Sequence, residues 1–134
     1  MNAVRENNAP YEILVTDDDE NCRETVAEVL SRNGYRPHLA GSGHEAIDYV
    51  RRHFVHVMIV DMNMPDLDGV ETVSIVRHEM SIVVPSILIS ADTSPDLRLR
   101  ALMAHFETFV PKPLDLNVLR HVVYEILRRH YEPD

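Results

Sequence analysis

The chain has 134 residues, 45% of them apolar, without tryptophan, so a single domain with an aliphatic core is expected. Its formal net charge of −9 excludes general attraction to nucleic acid or anionic membrane, and no apolar run is long enough to span a bilayer. One cysteine, Cys22, excludes an intrachain disulfide and fits a reducing, cytoplasmic compartment.

Residues 1–10 carry both signs of charge and no apolar run, and are expected to be a disordered lead-in. Tyr11–Thr16 predicts a strand that stops at Asp17-Asp18-Asp19. Val26, Val29 and Leu30 recur at helical spacing over 20–32, one turn after Cys22, with Gly34 as the stop signal. A weaker strand covers about Arg36–Ala40. Ser42 and Glu45 have capping-box spacing and open a helix to about Arg52. His56–Asp61 is apolar on both faces, as a buried parallel strand requires. After a loop at Met62–Asp68, a second capping-box spacing, Asp68 and Glu71, opens a helix carrying Val70, Val73, Val76 and Met80. Val84–Ser90 predicts a buried strand with Pro85 near its start. Ser94-Pro95 starts a helix to about Ala104. Thr108–Pro111 is a short fifth strand, and Asp115 caps a last helix bearing Leu116, Leu119, Val123, Ile126 and Leu127.

Strands alternating with helices imply a parallel sheet covered on both faces, with right-handed crossovers. Two strand orders are common for such a unit, and both bind ligands at the carboxyl ends of the strands. That end receives Asp17 and Asp18, Asp61, Ser90 and Lys112, the only lysine in the chain. Converging carboxylates repel one another unless a hard cation joins them, and Mg²⁺ takes such oxygen ligands. An Asp oxygen can then attack phosphorus, with Lys112 and Ser90 on the phosphoryl oxygens.

Four segments in order, ILVTDDD, VDMNMPDLDG, ILISA and FVPKP, resemble the receiver domain of two-component response regulators over about residues 11–130. The resemblance implies a flavodoxin-like, doubly wound (βα)₅ three-layer sandwich whose parallel five-stranded sheet has order 2-1-3-4-5. It implies Asp61 as phosphoacceptor, Asp18 as direct Mg²⁺ ligand, Asp17 acting through water, and Asn63 offering its backbone carbonyl. It further implies Ser90 as switch hydroxyl, Lys112 with a cis bond to Pro113, and Phe109 at the aromatic switch position. Residues 131–134 are then a tail.

By the same resemblance the phosphodonor is a sensor histidine kinase or phosphotransfer protein. The chain catalyses only its own phosphorylation and dephosphorylation. Asn63 and Asp92 flank the path of the hydrolytic water. Ser90 moves towards the phosphoryl group and Phe109 turns inward, its position expected to be set by packing alone. The output surface is the fourth helix, fifth strand and fifth helix, for a downstream protein or a phosphorylation-dependent homodimer. Leu97, Leu99, Leu102, Met103 and Phe106 cannot all face inward, so part of the fourth helix is expected to be an exposed apolar patch. Ala104-His105-Phe106 replaces the family's frequent glycine, which suggests a differently built loop. Cys22 is expected beneath the first helix, Asp19 as helix entry, and Asp66 and Asp68 in the turn and cap. The scattered histidines lack zinc spacing.

Two other functions compete. A phosphohydrolase of the haloacid dehalogenase type would use Asp17 and Asp19, although Glu20 follows where that pattern has Thr or Val. A degenerate receiver would act only as a binding module.

Overall fold

Period-two burial along the strands builds the molecule outwards from a central sheet. The computed structural model describes residues 9–132. β1 (Glu12–Thr16), β2 (Arg36–Ala40), β3 (Val57–Asp61), β4 (Ser86–Ser90) and β5 (Thr108–Pro111) pair in parallel in the order β2-β1-β3-β4-β5. Between and after them run α1 (Glu20–Arg32), α2 (Gly43–Arg52), α3 (Gly69–Ser74), α4 (Pro95–Met103) and α5 (Leu116–Tyr131). Ile13, Val15, Val57, Ile59, Ile87 and Ile89 point to the α1–α5 side of the sheet. Leu14, Met58, Val60 and Leu88 point to the side of α2, α3 and α4. This alternation puts every apolar residue of β3 in one of two cores, each fully buried aliphatic side chain worth about 1.5–3 kcal/mol.

Register levels the strand ends. Thr16 lies beside Ala40 and Val60, Asp61 beside Ile89, and Ser90 beside Pro111. The residues that follow β1, end β3 and β4, and follow β5 therefore share one edge of the sheet.

The amino ends are closed by a buried histidine. His56 Nδ1 accepts the Glu12 N–H at 2.9 Å, and the Tyr131 hydroxyl donates to the His56 carbonyl at 2.7 Å. The rings of Tyr11, Phe54 and Tyr131 meet the imidazole edge-on, with centroids 4.7–4.9 Å away.

Several local expectations change. β4 starts at Ser86, not Val84: Pro85 has no N–H for the ladder and joins only through its carbonyl, which accepts from Met58 N–H at 3.0 Å. Glu45 does not close a capping box on Ser42; its Oε2 accepts from Gly41 N–H at 2.8 Å, while Ser42 Oγ caps Glu45 N–H. The Asp68–Glu71 box is complete. The third helix continues as a π-helical turn, Ile75–Glu79. After α4 the loop keeps a left-handed residue without glycine, because His105 takes φ 66°. The lead-in expected at 1–10 lies outside the described residues save Ala9 and Pro10. So does the tail expected at 131–134, save Glu132 and Tyr131, the last residue of α5. Among the described residues no helix is long and apolar enough to cross a membrane.

Candidate functional site

Because β1 and β3 are neighbours while their connections diverge to opposite sides, a crevice opens at their carboxyl ends. Asp17 and Asp18 enter it directly after β1, and Asp61 ends β3. One carboxylate oxygen from each of the three lies within 4.8 Å of the others.

Backbone contacts aim these acids. Asp17 N–H donates to Ala40 O at 3.0 Å, its Oδ1 accepts Asp19 N–H at 2.9 Å, and Arg23 Nη1 donates to its carbonyl at 2.7 Å. Asp19 turns away and caps α1, accepting from Asn21 and Cys22 N–H. A nucleophile–acid pair of Asp17 and Asp19, which the phosphohydrolase alternative needs, is not assembled.

Asp61 is 3% exposed. Its Oδ2 accepts Asn63 N–H at 3.2 Å, and its Oδ1 meets Lys112 Nζ at 2.7 Å. Beyond that ion contact, Oδ1 receives no hydrogen bond. Burial pushes the Asp61 carboxyl above the ordinary carboxylate range; Lys112 pulls against this and the Asp17 charge adds to it. Burial works against the Lys112 ammonium, but Asp61 and Asp17 outweigh it and hold its pKa above the usual lysine value. A buried carboxylate oxygen short of donors, beside two like-charged acids, suits a hard divalent cation of the Mg²⁺ kind. No His or Cys belongs to the acidic group, so it is not a typical zinc set.

Ser90 stands on the neighbouring strand, its Oγ accepting Asp92 N–H at 3.0 Å and its carbonyl accepting Lys112 N–H at 2.9 Å. The Lys112–Pro113 peptide is cis. Asp92 does not aim at the crevice: its carboxylate accepts Ser94 N–H at 2.8 Å, which holds its pKa below the ordinary range. Phe109 is half-buried against the α2–α4 core, and the Arg98 guanidinium lies 4.8 Å from its ring centroid. Packing alone therefore does not set this ring; a cation–π contact from α4 also holds it. Leu97 on α4 and Phe106 in the loop after it face inward, while Leu99, Leu102 and Met103 on α4 are 55–70% exposed.

Cys22 is corrected by the structure. It does not enter the core under α1 but is half-buried beside Asp17, and burial, with that carboxylate, pushes its thiol up to about 12. It remains a protonated thiol and no nucleophile at neutral pH. Sequence reading also passed over Gly69, where a Cβ would stand 2.7 Å from the Asp61 carbonyl and 2.9 Å from Leu88 Cδ1. Only a bare residue lets α3 start that close to the end of β3. Its one local signal was the Asp68-Gly69 turn dipeptide, and Arg23 had none.

Comparison with known proteins agrees with this architecture. The family description "Response regulator receiver domain" matches residues 13–124. The response regulator MprA of Mycobacterium sp. (strain KMS) is 35% identical over 120 residues, which are 90% of this chain and 52% of that protein. The chain thus spans about half the length of the curated relatives it matches. The receiver domain of the Francisella response regulator 1452 superposes with a TM-score of 0.84 at 27% identity, covering 89% of this chain and 98% of the other. The Vibrio cholerae chemotaxis protein CheY4 gives 0.83 at 27% identity, covering 89% and 100%. With fold, strand-end acids and sequence in agreement, the chain belongs to the response regulator receiver domains, the signalling modules of two-component systems.

Proposed function

We propose that Asp61 accepts a phosphoryl group from a phosphohistidine on a sensor histidine kinase or phosphotransfer protein. The observation that carries this reading is the buried Asp61 Oδ1, short of hydrogen bonds, 2.7 Å from the Lys112 ammonium and beside Asp17 and Asp18. An Asp61 oxygen forms the new O–P bond as the donor's N–P bond breaks, and the leaving imidazole takes up a proton. Asp18, Asp61 and the Asn63 backbone carbonyl would hold Mg²⁺, with Asp17 acting through a bound water. Bound there, the ion supplies charge neutralisation for the acids and the phosphoryl oxygens. Lys112 turns its ammonium from Asp61 to the incoming phosphoryl oxygens. Ser90 keeps a hydroxyl proton to donate to the same group.

The switch follows from these contacts. Ser90 leaves Asp92 N–H for the phosphoryl group, Phe109 moves inward behind it, and the ring parts from Arg98. The α4-β5-α5 face changes shape, and exposed Leu99, Leu102 and Met103 dock a downstream protein or a second copy. The chain acts as a cytoplasmic phosphoacceptor, turning over no separate substrate. A degenerate receiver is less well supported, since acids, hydroxyl and lysine are all present.

Intact mass after treatment with acetyl phosphate tests the reading. One phosphoryl adduct is expected on the wild type with Mg²⁺, and none with a chelator or in Asp61→Asn. Equal labelling of Asp61→Asn would refute Asp61 as acceptor.

A further inference from the structure

Two irregular loops carry the groups proposed to hold the cation. The β1–α1 loop brings Asp17 and Asp18, and the β3–α3 loop brings Asn63. Both are tied to the β2–α2 junction, the first loop through the end of β2 and the second through the first turn of α2. On one side, Asp17 N–H bonds to Ala40 O, and the next residue, Gly41, donates its N–H to Glu45 Oε2 at 2.8 Å. On the other side, the Asp66 carboxylate accepts Gly43 N–H at 3.1 Å and His44 N–H at 2.8 Å. His44 Nδ1 lies 2.6 Å from Asp66 Oδ2.

Gly43 and His44 open α2, and their N–H groups are orphan donors that no residue of the helix can satisfy. Ser42 reaches only the third, that of Glu45. The cap is completed by a carboxylate 22 residues away, at the positive end of the helix dipole. Close approach depends on Gly43, where a Cβ would lie 2.4 Å from Thr72 Oγ1 and 2.9 Å from Leu67 Cβ. Partial burial alone would raise the Asp66 carboxyl. The N–H groups of His44, Leu67 and Gly43, with the His44 ring, hold it well below the ordinary carboxylate range instead. Asp66 is therefore a permanent anion at neutral pH, tied to a helix on one side and to the acceptor loop on the other.

We infer that Asp66 is a positioning residue for the phosphorylation site: clamped on the α2 N-terminus, it holds the loop from which Asn63 offers its carbonyl to the cation. The inference rests on the function proposed above and assigns to Asp66 a task beyond the turn expected of it. A carboxylate that only shaped a turn would bond within its own loop alone, as Asp66 does with the Leu67 N–H. This one also takes two N–H bonds and a ring-nitrogen contact from a separate helix.

Three variants test it. Asp66→Ala removes the clamp, Asp66→Asn keeps an oxygen acceptor for the N–H groups, and His44→Gln removes only the ring contact. Mg²⁺ affinity is read from the dependence of the melting temperature on Mg²⁺ concentration. Loop order is read from amide exchange at Asn63 and Leu67 in metal-free protein. Asp66→Ala should bind Mg²⁺ about tenfold more weakly, as loss of outer-shell support typically does. It should also exchange faster at Asn63; Asp66→Asn should restore most of both, and His44→Gln should change them little. An Asp66→Ala protein that melts earlier yet keeps wild-type Mg²⁺ affinity and wild-type Asn63 exchange would make Asp66 a helix cap and overturn the inference. Failure of the wild type to bind Mg²⁺ would refute the proposed function instead, and the metal-free exchange would still decide whether the clamp exists.

Discussion

The two ends of the sheet bury polar groups to the same depth and treat them in opposite ways. At the amino end, His56 is 2% exposed, its ring nitrogen accepts an N–H, its carbonyl accepts a phenol, and three aromatic rings surround it. At the carboxyl end, Thr16 and Asp61 are 1% and 3% exposed, yet Thr16 Oγ1 receives no hydrogen bond and Asp61 Oδ1 has only the ion contact with Lys112. A buried polar group without a partner costs about 1–3 kcal/mol. The chain concentrates that cost at the end where a ligand can relieve it, and satisfies the end where none is needed.

The largest test breaks the satisfied end. His56→Ala should cost about 3 kcal/mol in urea denaturation, through a cavity among three rings and an orphaned Glu12 N–H. Mg²⁺ affinity should not change. A loss of affinity matching the loss of stability would show that the two ends are one cooperative unit.

The next test relieves the unsatisfied end. The Asp61 pKa is raised in the folded chain, so any stability this group contributes is full below the ordinary carboxylate value of 3.8 and is lost as pH rises through the raised value. Without Mg²⁺, Asp61→Asn should therefore be more stable than wild type at pH 7, by about 1 kcal/mol, with the gap closing towards acid pH. Mg²⁺ at a hundred times its dissociation constant should reverse the order by adding about 2.7 kcal/mol to the wild type alone. Denaturation curves over a pH series, with and without Mg²⁺, read both effects. A wild type more stable than Asp61→Asn in metal-free buffer would contradict the account of strain.

The smallest test separates Thr16 from Asp61. Thr16→Val keeps the shape and removes the hydroxyl, so it should add about 1 kcal/mol with or without Mg²⁺. Altered Mg²⁺ affinity in this variant would give Thr16 a part in the site that its position does not suggest.

Much of this contrast was legible in the linear sequence. The buried run of β3 and the helical spacing of α1 and α5 are local patterns, so their ends fall within a residue or so of expectation. The acids, serine and lysine could be placed because parallel strands put their carboxyl ends on one edge. Contacts across long sequence distances were not legible. Asp66 resembles any turn residue in a Pro- and Gly-bearing loop, and nothing nearby reveals that it caps α2. Arg98 is one of many arginines until the fold lays it over Phe109. Cys22 has core-like spacing, but its helix turns it towards Asp17. His105 shows that a left-handed turn survives without its usual glycine when neighbouring Ala104 and Phe106 are anchored in the core.

The docking of Tyr131 on His56 has a practical corollary for anyone labelling the molecule. Whatever is attached beyond α5, whether a dye, an affinity handle or a fused module, departs from the pole opposite Asp61. Five residues of β3 separate the poles, a rise of about 17 Å. A reporter placed there leaves the crevice around Asp61 clear.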